Sequence, residues 1–203
     1  MEDISQKIAE TIRAYHAKGW SPATSTNYSY RNAPDDLIIN VSRSGIDKSE
    51  FQAEDFMCVD FNGHPTFGYE KIRPSAETLI HCVIYDLFPE NTVILHSHSI
   101  YSVLMSQLFD SEIPFEGYEI QKGFAGQVTH DATVHIPVLE NSQDMEVFAG
   151  WVRERKADFS NHCLVIRKHG SYAWGKNLFE AKRHLETLEY LLEAEWKYRS
   201  SKL

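Results

Sequence analysis

The sequence predicts an α/β fold built on a mixed, largely antiparallel sheet. Three observations predict it. Short apolar runs alternate with longer segments of helical periodicity from end to end, and Asn62-Gly63 and His169-Gly170 mark sharp bends beside strand-like runs. No internal repeat or low-complexity tract interrupts the alternation. With 203 residues, 42% hydrophobic and 24% charged, the chain is expected to form a single domain over 1–203 around one substantial core.

The first element is an amphipathic helix over about 5–18, with Ile4, Ile8, Ile12 and Tyr15 three or four residues apart and Gly19 as its stop. A small, hydroxyl-rich stretch over 20–30 reads as a loop. Residues 37–41 are apolar but too few for a helix and suit a strand, closed by a turn at Ser44-Gly45. The run 56–61 reads as another strand, which Asn62-Gly63 would return as a hairpin. Helical spacing of Leu79, Ile80, Val83, Ile84 and Leu87 predicts a helix over 76–88, ended by Pro89. A buried-type strand over 92–96, a helix over 100–109, a strand over 134–138 and a helix over 144–156 follow. Strand-like runs at 163–167 and 171–174 flank His169-Gly170. The last element is a long helix over 178–199, whose inner stripe is Leu185, Leu188 and Leu192; Glu186, Glu189 and Glu193 are placed off that stripe.

Composition excludes several classes of function. Twenty Lys and Arg against 29 Asp and Glu give a net charge of −9, which repels phosphate backbones and anionic lipid. No nucleic acid or membrane partner is therefore expected. No apolar stretch reaches the roughly 18 residues of a membrane span, and the first five residues lack a leader's basic and apolar segments. Cys58, Cys82 and Cys163 are far apart and form no C-x-x-C pair, which fits reduced thiols and a cytoplasmic location.

In Leu95-His96-Ser97-His98-Ser99 two imidazoles end an apolar strand, and alternation sends both rings to one side and Ser97 to the other. Two histidines are half of a metal site; alone they read equally well as hydrogen-bonded surface residues. His169, at a strand end before a glycine that permits close backbone approach, is a third candidate ligand, with a packed turn residue as the alternative. Glu77 opens the helix after Pro74-Ser75-Ala76, so its carboxylate is either a partner of the helix dipole or part of a site. Ser75 and nearby amides could hold an anion at the same helix end. His81 lies one turn after Glu77 and shares its face, but is assigned with the other histidines to surface or core. Glu119, in a segment of mixed polarity, reads on composition as a solvated carboxylate, and Lys122 as a surface cation. The polar loop over 24–29, with Asn27, lacks the G-x-x-x-x-G-K pattern, so it can bind an anion without being a nucleotide site. No G-x-S-x-G elbow is present.

Asn27, Ser44-Gly45, Pro74-Ser75-Ala76-Glu77, His96-Ser97-His98 and His169-Gly170, in that order, resemble the class II aldolase/adducin family over almost the whole chain. The resemblance implies an α/β/α sandwich and a zinc-dependent enzyme of sugar phosphates. It implies His96, His98 and His169 as ligands of one zinc ion, and Thr24, Asn27, Ser44, Gly45 and Ser75 as the phosphate cradle. Runs 116–126 and 168–175 are most similar to the branch that dehydrates a methylthio-bearing ketose phosphate in methionine salvage. There Glu119 matches the acid/base, while Glu77 matches the base and metal ligand of the aldolases. Two positions depart from the pattern: Thr26 stands where a glycine usually precedes the asparagine, and Ala76 where many aldolases have a serine. The family also implies a homotetramer. Aldolase or epimerase chemistry on another sugar phosphate, and a non-enzymatic adducin-like binding module, are the alternatives.

Overall fold

The computed structural model describes residues 3–202, so Met1 and Glu2, within the segment read as lacking a leader, lie outside the described residues. Helix α1 (Ile4–Ala17) begins where the Asp3 side chain accepts from the Ser5 amide, and it buries Ile8, Ala9, Ile12 and Tyr15. Strands β1 (Tyr28–Tyr30), β2 (Ile39–Ser42) and β3 (Phe56–Val59) precede helix α2 (Thr78–Leu87) and strand β4 (Val93–Ser97). Helix α3 (Ile100–Met105), strands β5 (Glu112–Phe115) and β6 (Val134–Leu139), helix α4 (Met145–Glu154), strands β7 (Cys163–Ile166) and β8 (Gly170–Gly175) and helix α5 (Leu178–Ser200) complete the order.

The strands form one eight-stranded sheet in the order β3-β2-β1-β4-β8-β7-β6-β5. Every neighbouring pair is antiparallel except β6 with β7. Strands β1 to β4 thus fill one side of the sheet and β5 to β8 the other, and they meet where β4 pairs with β8 from Val93↔Gly175 to Ser97↔Ser171. Alternation along these two central strands divides the core. Leu95, Val165 and Ala173 pack with Ile8 and Ile12 of α1 and Leu185, Leu188 and Leu192 of α5. Ile94, Leu164, Tyr172 and Trp174 pack on the opposite face with Ile80 and Ile84 of α2 and Phe148 and Val152 of α4. The sequence-derived class, a helix-sheet-helix sandwich on a mostly antiparallel sheet, is the observed one.

Several elements differ from the sequence reading. Strand β1 was expected as loop; its three residues are all buried, paired on both edges by β2 and β4, so tertiary pairing overrides a polar sequence. Strand β5 falls in a stretch the sequence reading left unassigned; it contains Pro114 and is the outermost strand, where a missing N–H is tolerated. Beyond Asn62-Gly63 there is a single bridge, Val59↔Pro65, rather than a second hairpin strand. Helix α3 stops at Met105, short of the expected 109. Glu189, expected off the inner stripe of α5, is only 2% exposed.

Candidate metal centre and anion cavity

Ring nitrogens of His96, His98 and His169 and a carboxylate oxygen of Glu77 all lie within 4.8 Å of one another. His96 and His98 leave the end of β4, His169 sits in the bend before β8, and β4–β8 pairing brings the two stretches together. His169 Nε2 is 2.8 Å from Glu77 Oε1, His98 Nε2 is 2.8 Å from His96 Nε2, and His96 Nε2 is 3.6 Å from Glu77 Oε2. Gly170 is required by space: a Cβ there would overlap the Ser97 carbonyl oxygen and stand 3.0 Å from the His98 ring. The left-handed backbone of this bend belongs to Lys168, at φ +56°, and not to the glycine.

Three of the four side chains, His96, His169 and Glu77, are oriented from behind. His96 Nδ1 faces the Ser171 carbonyl oxygen at 2.9 Å, and a carbonyl only accepts, so Nδ1 carries the proton. The His96 Nε2 lone pair therefore points at His98. The His96 ring stacks on Tyr172 at 3.9 Å and 14°. His169 Nδ1 lies 3.3 Å from Asn141 Oδ1. Glu77 occupies the N-cap position of α2, but its side chain makes no capping bond and is directed at the histidines. Its Oε2 accepts instead from Asn27 Nδ2 and from the Tyr172 hydroxyl, the latter at 3.2 Å. Asn27 Oδ1 in turn accepts from His81 Nε2, and His81 Nδ1 meets Ser29 Oγ at 2.6 Å.

Burial alone would raise the Glu77 carboxyl, but the His169 hydrogen bond, the neighbouring His96 and His169 rings and Asn27 hold it well below the usual carboxylate range. Burial pushes His96 far down and His98 down to about 4, so both rings are neutral ligands at pH 7. Two neutral imidazoles with nitrogens at 2.8 Å beside an ionised carboxylate make a donor set for a cation. The three spacings bracket the roughly 3.3 Å edge of a tetrahedral site with bonds of about 2.0 Å. The residues fit a divalent ion, and the second ring nitrogens of His96 and His169 are held by a backbone and an amide oxygen, as is usual for metal-ligating histidines.

Beside this group a cavity of about 280 Å³ is lined by Thr24, Asn27, Ser44, Gly45 and Ser75 together with Glu77 and His98. All five residues expected at a phosphate thus share one wall system with the metal candidates. Arg43 also lines the cavity, with its buried Nε lacking any partner; sequence reading missed it, although a cation next to Ser44-Gly45 was visible. Thr26 has φ +71°, a backbone that favours the glycine the resemblance puts there; its hydroxyl is tied to Ser21 Oγ at 3.0 Å. Tyr172 and Glu189 were missed as well, since neither spacing nor composition marks them. Glu119 is not brought into the Glu77 and histidine group. It is exposed in a short 3-10 helix over Glu119–Gly123, 2.6 Å from Lys122, and lines an open groove of about 860 Å³ with Trp20, Arg183 and Tyr190. Lys122 holds its carboxyl below the usual range.

Comparison with known proteins gives the family. The class II aldolase and adducin N-terminal domain family matches residues 6–196, and the chain belongs to that family. Among its relatives is a methylthioribulose-1-phosphate dehydratase of Picosynechococcus, 48% identical over 199 residues that cover 96% of this chain and 93% of the relative. Another dehydratase of the same name, from Xanthomonas campestris, is 42% identical over 197 residues, covering 96% and 89%. In fold the chain is similar to the L-fuculose-1-phosphate aldolase of Thermus thermophilus, with a TM-score of 0.76 at 22% identity over 98% of this chain and 97% of that one.

Proposed function

We propose that this chain is a hydro-lyase that converts 5-methylthioribulose 1-phosphate to 5-methylthio-2,3-dioxopentyl phosphate and water in methionine salvage. The observation that carries the reading is the convergence of His96, His98, His169 and Glu77 beside the Asn27 and Ser75 cavity. Near-full-length relatives bearing the dehydratase name support the choice of reaction. A binding module of the adducin kind would have no use for four metal donors, three of them oriented by hydrogen bonds.

His96, His98 and His169 would hold a divalent ion, which would supply Lewis-acid chemistry worth several kcal/mol to a ketose substrate. Zinc suits a donor set of three imidazoles and a carboxylate. Thr24, Asn27, Ser44, Gly45 and Ser75 hold the phosphate, and Arg43 adds a matching charge. The reaction removes the C3 proton and breaks the C4–O bond, with the hydroxyl leaving as water; the resulting enol ketonises. Glu119 is the acid/base: its carboxylate, ionised beside Lys122, takes the C3 proton. Reaching C3 requires the substrate to extend from the cavity toward the groove that Glu119 lines. Glu77, tied to Asn27 and Tyr172, fixes His169 and closes the donor set. The protein works as a cytoplasmic homotetramer, for which exposed Phe67, Ile100 and Phe179 supply apolar surface.

A second reading, retro-aldol cleavage of another sugar phosphate, is favoured by one observation: Glu77, the base position of the aldolases, lies inside the donor group, and Glu119 does not. A product assay separates the two. Purified protein with zinc should release water from methylthioribulose 1-phosphate and leave fuculose 1-phosphate intact; the reverse result would establish the aldolase. Glu119→Gln should retain the metal and lose about 10² to 10⁴-fold in turnover, and full activity would remove Glu119 from the mechanism.

A further inference from the structure

Glu189 stands on the inner face of α5, 2% exposed, on the opposite side of the sheet from the histidines. Its Oε1 accepts from the hydroxyls of Ser97 and Ser171, and its Oε2 from that of Ser99. These serines are not scattered. Ser97 and Ser171 are directly paired partners at the end of the β4–β8 ladder. Ser99 caps α3, accepting from the Ser102 amide at 3.1 Å.

The chain order converts this cluster into a clamp. Ser97 lies between His96 and His98, Ser99 follows His98, and Ser171 is two residues after His169. The Ser171 carbonyl also receives the His96 Nδ1 proton. Every imidazole of the donor group is therefore within two residues of a serine tied to one carboxylate. A leucine at this point would extend the stripe of Leu185, Leu188 and Leu192 and spare the desolvation of a buried acid, which ordinarily costs several kcal/mol. Fold stability alone does not account for a glutamate here.

We propose that Glu189 is a positioning residue of the metal centre: by holding Ser97, Ser99 and Ser171 it fixes the backbone that carries His96, His98 and His169. It acts from the rear of the sheet, and its carboxylate touches neither ion nor substrate. The inference rests on the reading of the Glu77 and histidine group as a metal site.

The test is cobalt(II) titration of the metal-free protein, followed by the visible ligand-field bands, alongside the melting temperature without metal. Glu189→Leu should fold and bind cobalt 10- to 100-fold more weakly with altered bands, whereas Glu189→Gln, which keeps an acceptor for Ser97 and Ser171, should stay within about threefold of wild type. Ser97→Ala removes one arm of the clamp with little risk to folding and should lose about three- to tenfold; it carries the test if the Leu variant does not fold. Wild-type cobalt affinity and spectrum in folded Ser97→Ala and Glu189→Leu proteins, whatever their melting temperatures, would overturn the inference while leaving the metal site intact. A wild-type protein with no affinity for cobalt or zinc would overturn the metal reading and this one together.

Discussion

Gly170→Ala should damage the candidate metal centre without replacing any of its four donor residues. The added methyl would overlap the Ser97 carbonyl oxygen and lie 3.0 Å from His98 Cδ2 and 3.1 Å from His96 Cε1. The carbonyl belongs to the paired strand and cannot swing aside, so the strands must separate or the rings must shift. Overpacking of this kind costs about 1 to 3 kcal/mol, and a backbone obstacle places it toward the upper end. For a chain of this size that is a fall of roughly 4 to 12 °C in melting temperature. Bound donors tolerate displacements of only about 0.2 Å, so metal affinity should drop at least tenfold. Calorimetry and a chelator-competition titration would measure both. Gly150→Ala is the control, because it sits in α4 with nothing within 4 Å of the new methyl and should be neutral or stabilising. Wild-type metal affinity in Gly170→Ala would refute the claim that close strand approach sets the donor geometry.

Thr26→Gly should relieve a left-handed β-branched residue, a strain of order 1 to 3 kcal/mol, at the loss of one hydroxyl contact worth about 1 kcal/mol; urea denaturation should show equal or higher stability, and a loss above about 2 kcal/mol would contradict the assignment. Arg43→Met should raise KM for a phosphorylated substrate about 10- to 100-fold with the metal content unchanged, as befits loss of a charge-assisted contact; unaltered KM would place the phosphate elsewhere. Burial lowers His81 to about 3 from an ordinary 6.5, so between these values the unfolded chain binds a proton that the native one does not. The metal-free protein should then lose stability as pH falls from about 6.5 toward 3, at up to about 1.4 kcal/mol per pH unit for this group. His96 and His98, also lowered, add to the slope, so the diagnostic is a flatter pH profile in His81→Gln than in wild type.

What sequence conveys here follows the physics of each signal. Helices α1, α2, α4 and α5 were legible because their apolar spacing reflects one buried face, β4 and β7 because short aliphatic runs buried on both sides have few other uses, and β8 because it follows a sharp bend at His169-Gly170. Strand β1 was not, since its pairing partners lie far along the chain and its own residues are polar or aromatic. The imidazole pair and His169 could be singled out individually, but their meeting depends on β4 lying beside β8, which no local pattern encodes. Glu189 illustrates the converse: periodicity placed it off the leucine stripe, and the serine hydroxyls that face it make its burial tolerable.

The sheet order has a thermodynamic corollary. Because β1 to β4 and β5 to β8 occupy separate sides, ladder hydrogen bonds cross between the two portions of sequence along a single seam, and the donor group sits at the end of that seam. An ion bound there would act as a rivet, since His96, His98 and Glu77 come from the earlier portion and His169 from the later. Its occupancy at a hundred times the dissociation constant would add about 2.7 kcal/mol to the assembled state. Chelation should accordingly loosen the join between two half-sheets before it disturbs either one, and hydrogen exchange at Ser97 and Ser171 would register the parting first.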